Sequence, residues 1–278
     1  MGLGIGVVDK IRILFALSVQ PLDKILAQES PSLTFTRISE KLLGGVNVKV
    51  NGALFSIVDF ESLGILSSRF ENYVRLWFTP RDGEVVLDIG AHIGKYTIAA
   101  AKRVGKQGQV IALEPDARNY ATLCRNIAVN KLHNVVTVNA AAWTGNCTLP
   151  LYLGKADGRH STKRDLRLGH STVRAVSTDM MLESLRLSRV DWIKVDVEGA
   201  ELEALSGMQH TLKSFKPRVI LEASTNNLAS IKSLLRRCDY QLVQISPPDV
   251  ADQIQFSYFL AVPLSEFVRK PPPISAYS

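Results

Sequence analysis

The chain is short of the residues that build covalent or metal-held scaffolds. Its 278 residues include three cysteines, Cys124, Cys147 and Cys238, an odd number with no C-x-x-C spacing. That argues against a disulfide framework or a cysteine zinc site and fits a reducing cytosol. Cys124 falls in the helical pattern YATLCRNIAV, where a free cysteine acts as a small buried hydrophobe. No apolar run approaches the ~18 residues needed to cross a bilayer, and no internal repeat recurs. The basic stretch at 154–170, GKADGRHSTKRDLRLGH, has no aromatic residue between its charges, so it lacks the stacking platform of a single-strand nucleic-acid binder.

What is present describes a globular α/β protein. Hydrophobic residues make up 46% and charged residues 21%, which supports a core and argues against disorder. The length suits one sizeable domain with an N-terminal extension. A net charge of +7 permits an acidic partner (nucleic acid, anionic glycan or membrane surface) and requires none. Near the N-terminus, Val7, Val8, Ile11, Leu14, Phe15, Leu17, Leu22, Ile25 and Leu26 follow a helical pattern with Lys10, Arg12 and Lys24 interspersed. A signal peptide would place charge first and then an uninterrupted apolar core. A helix packing on the domain, or against a second copy of the chain in a homodimer, fits better. An interfacial membrane helix is the other reading. The expected location is cytoplasmic, with peripheral membrane contact as the variant.

Pro31 is expected to end this helical part. Asn51-Gly52 marks a hairpin within residues 47–59, residues 71–78 read as a short helix ended near Pro80, and Asp82-Gly83 is a turn. From Val85 onward strands and helices alternate. Strands are expected at 85–89, 109–114, 135–140, 191–197 and 218–223, with helices at 95–104, 116–130, 200–212 and 230–238. This pattern implies a mainly parallel sheet with helices on both faces. Strands at 240–245 and 256–262, joined by a short loop at Pro247-Pro248, should close it as an antiparallel pair. An inserted hairpin, TLPLYL (148–153) and TVRAVS (172–177), interrupts the alternation. The expected division is an N-terminal extension at 1–80 for substrate or oligomer contacts, a nucleotide-cradling domain at 81–265, and a flexible tail at 266–278.

The most informative segment is VVLDIGAHIGKYT, 85–97. A buried strand, a glycine turn in the pattern D-x-G-x-x-x-G (Asp88, Gly90, Gly94) and a helix N-terminus form a nucleotide-sized cradle. It is not the dinucleotide fingerprint G-x-G-x-x-G, because Asp88 replaces the first glycine. A carboxylate there repels a pyrophosphate and favours an amino group. S-adenosylmethionine (SAM) carries an amino-acid end and a ribose but no phosphate. Glu114 ends the next strand, where an acidic residue can accept hydrogen bonds from both ribose hydroxyls. In DWIKVDVEGAELEALSGM (191–208), Asp196 and Glu198 follow a strand at the sheet edge where α/β ligands bind. They could orient a ligand, deprotonate a hydroxyl or hold a metal. Glu201 suits a helix N-terminus by complementing the helix dipole.

With these blocks the chain resembles FkbM-type SAM-dependent methyltransferases. The matching stretches are VVLDIGAHIGKYTIAAA, GQVIALEPDARNYATLCRNIAVN, NVVTVNAAAW, IKVDVEGAELEALSGM and PRVILEAS, covering most of residues 84–224. The resemblance implies a class I methyltransferase (Rossmann-like) fold with a seven-stranded sheet and SAM at the strand ends. It also implies that Asp88, Gly90, Ala91, His92 and Gly94 form the cofactor loop, that Glu114 binds the ribose, that Asn139 and Ala140 lie near the adenine, and that Asp196 lies beside the methionine part. His92 stands where the family often has asparagine. No metal site is expected.

Methyl transfer from a sulfonium is an in-line displacement that depends chiefly on positioning. A hydroxyl acceptor benefits from a base, for which Asp196, Glu198, His170 and His160 are candidates. Lys155, Arg159, Lys163, Arg164 and Arg167 could draw an anionic acceptor to the mouth. The resemblance favours O-methylation of a hydroxyl on a sugar, glycan, glycolipid or secondary metabolite. An RNA methyltransferase is the alternative, without a recognisable RNA-binding module or N-P-P-Y signature. A non-catalytic SAM-binding protein is the third reading.

Overall fold

The computed structural model describes residues 6–29, 42–67, 71–154, 160–163, 169–246 and 256–269. Its centre is a seven-stranded sheet. The strands are β3 (Val85–Ile89), β4 (Gln109–Leu113), β5 (Val135–Val138), β9 (Trp192–Val195), β10 (Arg218–Ser224), β11 (Tyr240–Gln244) and β12 (Phe256–Pro263). The spatial order is β11-β12-β10-β9-β3-β4-β5. The ladders among β10, β9, β3, β4 and β5 are all parallel. The final strand, β12, inserts between β10 and β11 and runs antiparallel to both. The antiparallel pair is thus where the sequence expects it, with the last strand taking the inner position.

Central β3 is buried along its whole length, which is why VVLDI shows no polar alternation. Helices α4 (Lys95–Val104), α5 (Ala117–Val129) and α9 (Thr225–Arg237) cross between strands. Their buried residues recur at helical spacing, as Ile98, Ala101 and Val104 do in α4. The expected strands at 135–140 and 191–197 are shorter, at Val135–Val138 and Trp192–Val195.

Three departures from the expected elements stand out. The helix expected at 200–212 is two helices, α7 (Glu201–Ser206) and α8 (Gln209–Phe215). Gly207 lies at the break, where a Cβ would come within 1.8 Å of the Trp143 carbonyl oxygen. The Asp179 carboxylate of helix α6 (Thr178–Ser184) caps the second helix through the His210 and Thr211 amides. The inserted hairpin is a three-stranded sheet: β7 (Cys147–Tyr152) pairs antiparallel with β8 (His170–Ser177), and β6 (Ala141–Trp143) adds in parallel on the other edge of β8. Residues 266–269, assigned to the tail by sequence, complete helix α10 (Leu264–Arg269), and Glu266 pairs with Arg218. The Pro31 helix end, the Pro247-Pro248 loop, the tail from 270, and Lys155, Arg159, Arg164 and Arg167 lie outside the described residues.

The N-terminal part opens with helix α1 (Val7–Glu29), followed by the hairpin β1 (Asn47–Val50) and β2 (Ala53–Ser56). Asn51 and Gly52 both take positive φ, 49° and 74°, as a type I′ turn requires. Short helices α2 (Phe60–Ile65) and α3 (Asn72–Trp77) follow. This part packs directly on the sheet domain. Ile13, Ala16, Leu43, Phe55 and Ile57 share one apolar cluster with Ile93 and Ile98. Buried Asn126 of α5 completes the junction. Its Oδ1 accepts from the Ser56 amide at 2.6 Å, and its Nδ2 donates to the Ser56 and Ile93 carbonyls.

Candidate functional site

The site forms where β3, β4, β9, β10 and β12 meet one end of the sheet. Asp88 in β3 is buried. Its Oδ2 accepts from the Thr97 hydroxyl at 2.6 Å, while Oδ1 is buried without a hydrogen-bond partner, 3.8 Å from the Lys194 ammonium. Burial raises its pKa, and Lys194 and Thr97 oppose that rise. Gly90 follows with φ 79°, and a Cβ there would fall 1.8 Å from the Asp196 carbonyl oxygen. Only a glycine lets the two strand ends approach so closely. Gly94, at φ 95°, opens α4.

Between the glycines, His92 takes φ 50°. Asparagine and histidine are among the residues that tolerate this left-handed conformation, so the departure from the asparagine of similar sequences leaves the loop geometry intact. The His92 amide donates to Glu114 Oε2 at 2.8 Å. Its Nε2 is buried without a partner, and burial lowers the imidazole pKa to about 4, so the ring is neutral. Glu114 Oε1 accepts from the Asp116 amide at 2.9 Å. Burial pushes the Glu114 pKa up to about 8 against these two backbone bonds. Asn139 donates to the Glu114 and Pro115 carbonyls, tying the end of β5 to that of β4. Ala140 is fully buried beside it.

Beside the loop lies a charged network. Lys194 of β9 is almost wholly buried, with Nζ 3.2 Å from Asp196 Oδ2 and 3.5 Å from the Gly90 carbonyl. It also lies 5.1 Å from the centre of the Tyr96 ring. Burial alone would depress its pKa, but Asp196 and Asp88 more than offset that and raise it, so it stays an ammonium. The Tyr258 hydroxyl of β12 donates to Glu71 Oε1 at 2.5 Å and lies 3.3 Å from Asp196 Oδ2. Glu71, at φ 50°, also accepts from the Tyr96 hydroxyl at 2.7 Å and pairs with Lys95 at 3.4 Å.

Carboxylates form the other wall. Asp196, Glu198 and Glu222 each offer an oxygen within 4.8 Å of the others. Glu222 Oε2 is buried without a partner. Burial, reinforced by Asp196 and Glu198, pushes the Glu222 pKa up to about 10. One proton thus resides in this group at neutral pH, relieving repulsion among like charges. Glu201 lies behind it, fully buried, with Oε1 accepting from the Gly199 amide at 2.7 Å and Oε2 without a partner.

The structure gathers Asp88, Gly90, Ala91, His92, Gly94, Asp196 and Glu198 at this end of the sheet, with Glu114 bonded to the His92 amide and Asn139 to the Glu114 carbonyl. His170 is exposed at the start of β8, its ring 5.9 Å from that of Tyr152. No described contact joins it to Asp196 or Glu198. His160 accepts from the Gly154 amide through Nδ1. Sequence reasoning missed Lys194, Glu222, Tyr258 and Glu71. For Lys194 a signal existed: a lysine inside an otherwise apolar strand, two positions from Asp196, faces the same side of the sheet as that aspartate.

These residues suit the expected cofactor. The unpartnered Asp88 Oδ1 can receive an ammonium, and Glu114 can accept ribose hydroxyls. The Gly90 turn leaves no side chain between the loop and β9. Comparison with known proteins agrees. The Methyltransferase FkbM domain profile matches residues 88–242. A protein from Beauveria bassiana named Methyltransferase 1 is 28% identical over 196 residues, covering 61% of this chain and 77% of its own. The hexuronic acid methyltransferase AglP of Haloferax volcanii is 27% identical over 135 residues, covering 48% of this chain and 53% of its own. The crystal structure of an FkbM methyltransferase from Methylobacillus flagellatus shares the fold at a TM-score of 0.50 and 20% identity. That match covers 68% of this chain and 46% of that one.

Proposed function

The chain belongs to the FkbM methyltransferase family, and on that premise we propose that it methylates a hydroxyl of a sugar-containing acceptor. It is a SAM-dependent methyltransferase. The observation that carries the acceptor reading is the carboxylate wall of Asp196, Glu198 and Glu222 beside the cofactor loop. Such a wall can accept hydrogen bonds from the hydroxyls of an acceptor. AglP, named for a hexuronic acid, supports the same class. RNA remains the competing acceptor. It rests on the net charge of +7 and on a basic stretch that lies largely outside the described residues.

Asp88, Gly90, Ala91, His92 and Gly94 hold the methionine end, Glu114 the ribose, and Asn139 with Ala140 the adenine edge. Bound SAM supplies a methyl group activated by its sulfonium. Lys194 and Tyr258 fix Asp196 beside the loop. Glu198 or Asp196 would accept the proton that the acceptor hydroxyl gives up on methylation. These carboxylates take the role of base ahead of His170, which faces solvent. Residues 1–80 contribute to acceptor contacts through Glu71, and residues 81–265 carry the transfer.

The test incubates the protein and methyl-labelled SAM with uronic-acid glycans, glycolipids and RNA. Label is expected in a glycan or glycolipid, and label confined to RNA overturns the acceptor assignment. Glu198→Gln should retain SAM affinity and lower kcat by about a hundredfold or more, as loss of a general base does. Calorimetry showing no SAM binding to Asp88→Ala or Glu114→Ala, beside a binding wild type, supports the cofactor contacts.

A further inference from the structure

The turn between β9 and α7, which carries Glu198, is held in a conformation its residues would not adopt alone. Glu198 takes φ 52° and Gly199 φ 102°, and a glutamate disfavours the left-handed region. A non-glycine residue persists there only where its surroundings impose it. Three side chains from separate parts of the fold do so. Glu201 Oε1 accepts from the Gly199 amide at 2.7 Å. The Asn227 side-chain amide of α9 donates to the Gly199 carbonyl at 3.0 Å. The third hold comes from the inserted segment: the buried Ser161 hydroxyl donates to the Glu198 carbonyl at 2.7 Å. Ser161 is itself fixed in place. Its Oγ accepts from the Lys163 amide at 3.1 Å, which leaves the hydroxyl proton for Glu198. Its backbone exchanges hydrogen bonds of 2.8 and 3.0 Å with Tyr152 at the end of β7, and the Lys163 ammonium pairs with Glu203 of α7.

We propose that Ser161 is a positioning residue for methyl transfer, acting through Glu198. Its hydroxyl holds the main chain of Glu198 and so sets where the carboxylate stands relative to Asp196 and Glu222, whose oxygens lie within 4.8 Å of it. A general base must stay within hydrogen-bond reach of the proton it takes. A turn free to leave φ 52° would swing the Glu198 carboxylate out of that group. The bond to Ser161 ties the base to the sheet of β6, β7 and β8, the part of the chain that interrupts the strand–helix alternation. The insertion thereby takes part in the chemistry without supplying a reacting group. This role rests on the reading of Glu198 as base and not on which acceptor is methylated.

The experiment is a double-mutant cycle of Ser161→Ala and Glu198→Gln in the full chain. Turnover is followed with methyl-labelled SAM on whichever of the uronic-acid glycan, glycolipid and RNA preparations wild type labels. Ser161→Ala, a change of one oxygen atom, should lower kcat about three- to tenfold, the worth of one hydrogen bond. The KM for SAM should stay at its wild-type value. In the Glu198→Gln background the same substitution should change kcat by less than about twofold, because nothing is left for Ser161 to position. A serine with a merely structural part would lower kcat by the same factor in both backgrounds. Amide hydrogen exchange over residues 196–200 supplies a readout that needs no acceptor, and it should quicken in Ser161→Ala. Equal losses in the two backgrounds, an undiminished kcat in Ser161→Ala, or unchanged exchange over 196–200 would overturn the proposal. Full kcat in Glu198→Gln alone would instead overturn the reading of Glu198 as base, and the positioning role with it.

Discussion

Replacing Glu201 by glutamine should stabilise the ligand-free protein, and only above acidic pH. Glu201 opens α7 with its side chain fully buried. One oxygen accepts from the Gly199 amide and the other has no partner. Burial, against the Gly199 bond, raises its pKa from an ordinary 4.5 to about 7. The sign follows from proton counting. Between these two values the unfolded chain has released the proton and the folded chain still holds it, so stability falls as pH rises through that window. Above about pH 7 the full cost is present, on the order of 3 kcal/mol at about 1.4 kcal/mol per pH unit. Glutamine keeps the shape and the acceptor for Gly199 and cannot ionise. Urea denaturation should show equal stability for Glu201→Gln and wild type near pH 4. The variant should gain steadily to about 3 kcal/mol above pH 7. Parallel stability–pH curves for the two proteins would refute the reasoning.

The remaining mutations probe the same end of the sheet. Gly90→Ala places a methyl 1.8 Å from the Asp196 carbonyl oxygen at a φ of 79°. It should cost about 1–2 kcal/mol in backbone strain alone and weaken SAM binding by at least about tenfold, read by melting and calorimetry. Lys194→Met leaves Asp88 and Asp196 without their shared cation. It should destabilise by about 3–5 kcal/mol, read by urea denaturation. Asn126→Ala removes three hydrogen bonds between α5, β2 and the glycine loop after β3. It should cost about 2–4 kcal/mol and speed proteolysis of residues 42–67.

Legibility in the sequence follows the range of the signal. The strand Val85–Ile89, its glycine turn and α4 are adjacent in sequence, so apolar continuity and two glycines identify them without tertiary information. Glu114 is legible because it ends the next strand of the same unit. Tyr258 is different: it reaches Asp196 across 62 positions because β12 inserts beside β10. No local pattern announces that strand order. Glu71 enters from a short helix before the domain and meets Tyr258 across 187 positions. The break between α7 and α8 also has a non-local cause. Gly207 is required by the approach of the Trp143 carbonyl, and that backbone belongs to β6, a strand absent from the sequence reading.

The charge state of the cradle has a consequence for cofactor binding. Asp88, Glu114 and Glu222 all have raised pKa values, each chiefly through burial. Glu114, pushed up to about 8, and Glu222, pushed up to about 10, therefore hold protons at neutral pH that exposed carboxyls would have lost. SAM is a net cation at neutral pH, with a sulfonium and an ammonium against one carboxylate. A cation entering beside these groups favours their ionised forms, so binding should expel protons. By linkage, affinity should rise with pH from about 6 to about 7.5, below the range where an α-amino group titrates. Calorimetry in phosphate and in Tris tests this directly, because released protons are taken up by buffers of different ionisation enthalpy. The apparent enthalpy should be more exothermic in Tris, whose protonation is strongly exothermic, by an amount proportional to the protons released. Equal enthalpies in the two buffers would mean that these carboxyls keep their protons beside the bound cation. Their raised pKa values would then be a property of the packed sheet end alone, without a part in holding the cofactor.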